Sequence, residues 1–467
     1  MNNIELVKEI DAYITANRDN IIEDLRALIA VPSVEGAAQP GAPFGEQPQK
    51  ALEIALQMAQ RMGFETYNSE GYIGWAEIPG QSGKDKYLAS ITHLDVVPEG
   101  NGWTQSPYEL RIRDGYLIGR GVADDKGPSV IMLYAANFVK NYLPNPKYTF
   151  RVLLGCNEET GMEDVEYYQE KYPEPLFLFS PDASFPVCNG EKGGYRGNFI
   201  SPKLNGNIVD FKGGVAGNVV PDRAHALVKA HIDELPDAEG INLTADGELV
   251  RIGAMGKGGH AASPEGTKNA IGMVVNYLLD NRLVSGEEKA FLEVLRSLFC
   301  ATDGSGLGIA STDPEERFTP LTCIGGLISM KDGVITQDID IRYPTTINGE
   351  TITEALQKKA AEGGAAFVCN SCSEPFYISA DNDAIRALID TYNKVNGCDE
   401  KPFTMGGGTY ARHFKNAVSF GVEDEKAQIP DFVGPMHGAD EGISEAQLLM
   451  ALKVYILAVL KLMELEF

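Results

Sequence analysis

The chain has 467 residues, which at about 150 residues per domain leaves room for two or three domains. Lysine and arginine number 40 against 66 aspartates and glutamates, and the formal charge of −26 repels phosphate backbones and anionic headgroups, excluding nucleic acid and membrane surfaces as expected partners. Apolar residues at 43 % and aromatics at 9 % are enough for packed cores and exclude a disordered chain.

In chain order, residues 3–30 place Ile4, Val7, Ile10, Ile14, Ile21, Leu25, Leu28 and Ile29 near a helical period that Pro32 ends. Glu5, Glu9 and Asp11 leave Met1–Arg18 without the basic-then-apolar pattern of a signal peptide, so none is expected. Pro32–Pro48 reads as an irregular loop, and Gln49–Met62 as a second helix closed by Gly63. Lys86–His93 is a short apolar strand running straight into polar residues, and Tyr116–Ile118 a strand leading into a glycine-rich turn. Tyr148–Cys156 repeats the first design, ending at Asn157, Glu158 and Glu159, and Leu176–Ser180 repeats it again, ending at Asp182. Helical segments, Val130–Tyr142 and Glu163–Tyr172, alternate with these strands. The pattern predicts an α/β fold of three layers with a mostly parallel sheet, whose ligands sit at the carboxyl ends of the strands.

Past Gly190 the texture changes. Gly197–Asp233 and Thr322–Arg342 alternate like half-buried strands, while Thr267–Leu279 and Thr351–Glu362 look helical. Three parts are therefore expected: residues 1–189 as the first part of a catalytic domain, 190–380 as an inserted α+β domain, and 381–467 as the catalytic domain resumed. The Gln447–Leu465 helix would dock on the first part. Its apolar stretch Leu448–Leu462 is interrupted by Lys453 and Lys461 and is short of the roughly 18–20 residues a membrane span needs. The seven cysteines form an odd, scattered set, expected as reduced thiols in a cytoplasmic protein.

Five segments are dense in metal-capable side chains. In His93-Leu-Asp95 an extended strand points both side chains the same way, so Asp95 can orient the ring of His93. Gly119–Gly127 holds Asp124 and Asp125 just before a helix, where either could cap the helix or one could bridge two cations. The adjacent Glu158 and Glu159 repel each other unless cations or a shared proton relieve them. Asp182 closes a third apolar strand, and Pro435–Glu441 brings His437. Together these supply two imidazoles, a candidate bridging carboxylate, two further carboxylate ligands and a spare glutamate, which is the inventory for two divalent cations with one acid left to carry a proton. Cys369-Asn-Ser-Cys372 has redox-like spacing without a thioredoxin-like context, and Gly406–Gly408 lacks the Lys-Ser/Thr ending of a phosphate loop. His225, His231 and His413 have no chemical company and are expected to be structural.

With Gly259–Gly266, which contains His260, and Gly406–Arg412, these stretches resemble the di-metal aminoacylase and carboxypeptidase superfamily, and within it the carnosinase-like Xaa-His dipeptidases of the peptidase V type. The motifs stand in family order over nearly the whole chain. The resemblance implies that Asp124, two residues before Lys126, bridges the metals, with His93 and Asp182 completing one and Glu159 with His437 the other. It implies Glu158 as general base and then acid, Asp95 as the orienting acid, and His260 as part of the oxyanion hole. Asn218, His260 and Arg342, with Gly407, Gly408 and Thr409 beside the substrate's end, would hold the substrate carboxylate on an inserted domain acting as a lid. The implied cofactors are two divalent ions, zinc or manganese with cobalt able to substitute. The implied substrate is a dipeptide with a free amino terminus, and the enlarged middle domain resembles that of monomeric relatives. Two other readings share the motifs: an N-acyl-amino-acid deacylase, and a non-catalytic metal-dependent binding protein, for which the intact Glu158 has no use.

Overall fold

In the computed structural model, which describes residues 3–424 and 426–467, the chain divides into two units. The first comprises Met1–Asn189, Ile378–Phe403 and Thr409–Phe467, and the second Gly190–Tyr377 and Thr404–Gly408.

The sheet of the first unit runs in the order Glu65–Ser69, Ile73–Ile78, Thr149–Gly155, Tyr87–His93, Phe177–Ser180, Ala417–Ser419, Cys188–Glu191. The middle four strands are parallel, as expected of strands joined through helices. The flanks are antiparallel, so the sheet is mixed rather than mostly parallel. The cause on one flank is local. Glu70 and Gly71 both take positive φ (57° and 81°) and turn the chain directly back into a hairpin, where a crossover would be needed for a parallel pair.

Helices cover both faces of this sheet. A Cβ on Gly74 would meet Leu52 and Leu56 of the helix Glu46–Arg61. The next residue, Trp75, points the other way and packs edge-on against Tyr168 of the helix Glu163–Lys171. On that second face Arg151 and Glu77 form a buried ion pair at 2.8 Å, with the guanidinium 4.0 Å from the Tyr87 ring. The helix Lys126–Tyr142 packs against Asn3–Ile29 and Glu445–Leu462 and shares one core with Leu88, Phe150, Val152 and Leu154. The three-layer expectation is therefore met.

The second unit is built on an antiparallel sheet with its own core. Its long strand, Val334–Tyr343, buries Ile335, Ile339, Ile341 and Tyr343 on alternate positions and pairs with Gly193–Ile200. The helices Ala270–Asp280 and Gly286–Phe299 pack against one another, and Gly349–Glu362 packs on the edge strand Ala366–Ser373. All seven cysteines are free, and no helix among the described residues is long and apolar enough to cross a membrane.

Candidate active site

Three neighbouring parallel strands end side by side, and each delivers metal-capable groups at its carboxyl end. His93 is the last residue of Tyr87–His93 and stands opposite Gly155 in register. Glu158 and Glu159 follow the end of Thr149–Gly155, and Asp182 follows Phe177–Ser180. Asp124 lies just before the helix Lys126–Tyr142, and His437 on the loop leading to Gly442–Ser444.

These side chains meet. His93 Nε2 lies 2.9 Å from Asp124 Oδ1 and 3.7 Å from Asp182 Oδ2. His437 Nε2 lies 2.8 Å from Asp124 Oδ2 and 3.1 Å from Glu159 Oε2. The two imidazoles therefore address opposite oxygens of one carboxylate. Donor atoms of His93, Asp124 and Glu159 lie within 4.8 Å of one another, as do those of His93, Glu158 and Asp182.

Asp125 has a different place. Its Oδ2 accepts the backbone N–H of His93 at 3.1 Å, and its side chain makes no capping bond to the following helix. Burial, and then the charge of Asp182, push its carboxyl well above the usual range.

Asp95 orients His93 more through its backbone than through its carboxylate. The ring Nδ1 faces the Asp95 carbonyl oxygen at 3.0 Å, with the carboxylate farther away at 3.4 Å. A carbonyl only accepts, so Nδ1 carries the hydrogen and Nε2 is left to face Asp124. The Asp95 carboxylate instead accepts the backbone N–H groups of Glu158 (3.2 Å) and Glu159 (3.1 Å), fixing the turn that presents both acids.

Asp164, which supports this turn, had no signature in the sequence. Asp164 Oδ2 accepts the backbone N–H of Cys156 at 2.7 Å and of Asn157 at 3.1 Å, and the Tyr410 hydroxyl donates to the same oxygen. Lys126 is fully buried and its Nζ donates to the carbonyls of Leu28 and Val31. That burial draws its pKa down to about 7.

Electrostatically the cluster calls for cations. Burial alone would lower the His93 pKa, but its hydrogen bonds to Asp124 and Asp95 outweigh that and raise it well above normal. Hydrogen bonds to Asp124 and Glu159 carry His437 up to about 11. Burial and then Asp124 raise Asp182 to about 8, and burial followed by Asp182 raises Glu158 well above its ordinary value. So many carboxylates cannot all ionise together unless positive charge lies among them. Glu159 Oε1 and Asp125 Oδ1 are buried without a hydrogen-bond partner. Carboxylate oxygens and imidazole nitrogens at this density fit divalent metal ions by donor chemistry.

On the second unit, Val219 pairs with His260, and the Ala261 N–H donates to the Asn218 carbonyl at 2.9 Å, which sets Asn218 and His260 side by side. His260 Nδ1 accepts the N–H of Ala262, and burial followed by the charge of Arg342 lowers its pKa. Arg342 is not a free solvated charge: its Nε and Nη2 hold Asp340 at 2.7 and 3.1 Å, and Nη1 approaches the Gly406 carbonyl at 3.4 Å. Gly407 is half-buried and Gly408 exposed. The Thr409 hydroxyl, by contrast, is buried, capping Ala411 N–H at 3.1 Å and meeting the Ser419 hydroxyl at 2.8 Å.

Residues 89–461 match the family model described as Peptidase family M20/M25/M40. A Beta-Ala-Xaa dipeptidase of Lactobacillus delbrueckii subsp. lactis is 32 % identical over 96 % of this chain and 97 % of its own. The putative dipeptidase YtjP of Bacillus subtilis is 31 % identical over 97 % of this chain and 99 % of its own. In fold, the chain is similar to human carnosine dipeptidase 1, with a TM-score of 0.60 at 16 % identity over 98 % of this chain and 99 % of that one. It is also similar to the di-peptidase Dug1p of Saccharomyces cerevisiae, with a TM-score of 0.63 at 12 % identity over 99 % of both chains. The match over most of its length, together with acids and imidazoles gathered at the strand ends, shows that the chain belongs to peptidase family M20/M25/M40.

Proposed function

We propose that the chain is a metal-dependent dipeptidase that hydrolyses dipeptides bearing a free amino terminus. The observation that carries the site assignment is the placing of His93 and His437 on opposite oxygens of Asp124, at 2.9 and 2.8 Å. In this reading Asp124 would be the ligand shared by two divalent ions, with His93 and Asp182 holding one and Glu159 and His437 the other. When bound, the ions polarise the scissile carbonyl and acidify a water molecule. Glu158 would accept the proton of the attacking water on a carboxylate oxygen and give it to the leaving amine, a role for a carboxyl beside the cluster that is not itself a ligand. Asp95 holds Glu158 and Glu159 in register through their N–H groups.

Carboxylate recognition is assigned to the second unit. Arg342 has Nη1 directed at a carbonyl rather than at an acid, leaving donor capacity for a substrate carboxylate. His260 would assist the oxyanion, with Asn218 beside it. Gly407, Gly408 and the Thr409 backbone would lie along the substrate's end, because the Thr409 hydroxyl is already engaged. Residues 190–380 thus serve as the substrate-carboxylate domain and lid, and the remainder as the catalytic domain. Zinc or manganese suits the donors, with cobalt as a substitute. A monomer in the cytoplasm completes the proposal, and the free thiols support that compartment.

The test pairs metal analysis with a substrate panel. Purified protein should carry two divalent ions per chain and hydrolyse free-amino dipeptides, β-alanyl peptides among them, in preference to N-acetyl or N-succinyl amino acids. Turnover of the acylated amino acids alone would make it a deacylase, and no turnover with metal bound would make it a binding protein. Arg342→Ala should raise dipeptide KM with a smaller change in kcat, and an unchanged KM would remove the clamp.

A further inference from the structure

We infer that Arg120 and Glu441 form a positioning clamp that sets the affinity of one cation site, the one assigned to Asp124, Glu159 and His437. The inference rests on that assignment and goes beyond it. Glu441 belongs to the acid-rich Pro435–Glu441 segment, yet it takes no part in the metal cluster. Its side chain turns away into the loop before Asp124, fully buried. There Oε1 accepts three backbone N–H groups, from Gly121 at 3.0 Å, Ala123 at 3.1 Å and Asp124 at 3.3 Å. Oε2 meets Arg120 Nη1 at 2.6 Å.

Arg120 closes the circuit. Its side chain is only 1 % exposed, and its Nη2 donates to the carbonyls of Glu99 and His437, each at 3.2 Å, and of Pro98 at 3.3 Å. His437 has φ of 61°, a left-handed conformation that non-glycine residues adopt only when held, and its carbonyl is one of the groups the guanidinium holds. One ion pair therefore fixes the backbone of Asp124 from one side and that of His437 from the other. These two residues come from loops more than 300 positions apart, and both are ligands of the same proposed cation. The other site shares Asp124 but takes His93 and Asp182 from the strand ends, outside the clamp, so only the His437 side is held by both ends of the ion pair.

The planar fork is what allows one side chain to serve both loops. A lysine at position 120 keeps the charge but cannot direct two separate nitrogens at Glu441 and at the carbonyls. Loss of an outer partner of this kind weakens metal binding about 10–100-fold.

The experiment is a cobalt(II) titration of metal-free protein, read by visible absorption and by competition with a chromophoric chelator. It compares the parent with R120K, E441Q, H437A and E77Q, the last breaking the other buried arginine–glutamate pair of this unit. The parent should bind two ions and H437A one tightly, which establishes the site assignment by itself. R120K and E441Q should weaken the ion held by His437 by about 10–100-fold, and the other, which shares only Asp124 with the clamp, by clearly less. E77Q should lower the urea midpoint without separating the two affinities. If E441Q does not fold, R120K carries the test alone. Parent-like affinities in R120K, or equal weakening of both ions, would overturn the clamp while leaving the site assignment intact; a parent that binds fewer than two ions would overturn the assignment instead.

Discussion

Glu158 and Glu159 are neighbours in sequence with different surroundings. Glu159 Oε2 faces His437 at 3.1 Å, while Glu158 groups with His93 and Asp182. Glu158→Gln should therefore lower kcat by roughly 10²–10⁴ with cation content unchanged, as measured by elemental analysis. Glu159→Gln should instead lose a cation. An E158Q enzyme with near-parent turnover would remove Glu158 as the proton carrier. At this scale short motifs marked where metal-capable residues cluster, and the family resemblance, not the residue types alone, implied His93, Asp124, Glu159, Asp182 and His437 as the set that the structure gathers. The sequence could not separate Asp124 from Asp125 on chemistry, because two adjacent aspartates look alike until the backbone turns one toward the imidazoles and the other toward the His93 N–H. Arg120 and Asp164 were invisible for another reason: their partners lie in distant segments or are backbone groups, and neither leaves a spacing pattern.

Elements deliver the site through the ends of strands, so small changes there should act out of proportion to their size. Gly155 closes the strand before Glu158, and a Cβ on it would lie 2.2 Å from the Tyr410 hydroxyl and 2.7 Å from Asp164 Oδ2. Gly155→Ala should cost about 1–3 kcal/mol in urea unfolding and disturb the turn that carries both glutamates. A parent-like midpoint would show that Tyr410 can yield. His413 offers a pH test at a residue outside the cluster of metal-capable side chains. Burial, then Arg412, lowers its pKa from 6.5 to about 4, so the folded state disfavours the proton that the unfolded chain accepts. Its contribution is fully present above pH 6.5 and is lost as pH falls toward 4. In His413→Gln the slope of stability against pH should be shallower across that window; an identical slope would contradict the lowered pKa. The strands that deliver the site were legible as apolar runs between polar ends. Others were not, among them Ile73–Ile78, where Glu77 interrupts the apolar run and is paired by Arg151 across the sheet and by Lys84.

At the scale of the whole molecule, the α/β class and the change of texture near residue 190 could be read from periodicity, but the antiparallel flanks of the sheet could not. They follow from a hairpin turn at Glu70 and Gly71 and from pairings set by the tertiary fold. Bound ions should also stabilise the molecule as a whole, since the folded chain gathers donors that the unfolded chain scatters. Exhaustive chelation should abolish dipeptide hydrolysis and lower Tm, and added zinc, manganese or cobalt should restore both. At a free ion concentration of 100 Kd the gain in stability should be about 2.7 kcal/mol for each ion bound, readable by calorimetry. An unchanged Tm after complete metal removal would mean that the cluster is not a high-affinity site.

The return of the C-terminal segment to the first unit has a consequence for biogenesis. Asp182 leaves the ribosome roughly 250 residues before His437, an interval of about 10–50 s at ordinary elongation rates. Throughout that time the nascent chain would carry the proposed carboxylate donors without the proposed His437 ligand, so full ion capture is expected late in synthesis or after it. On dilution from denaturant with cobalt(II) present, the absorption of the complete centre should rise only after the C-terminal helix has docked.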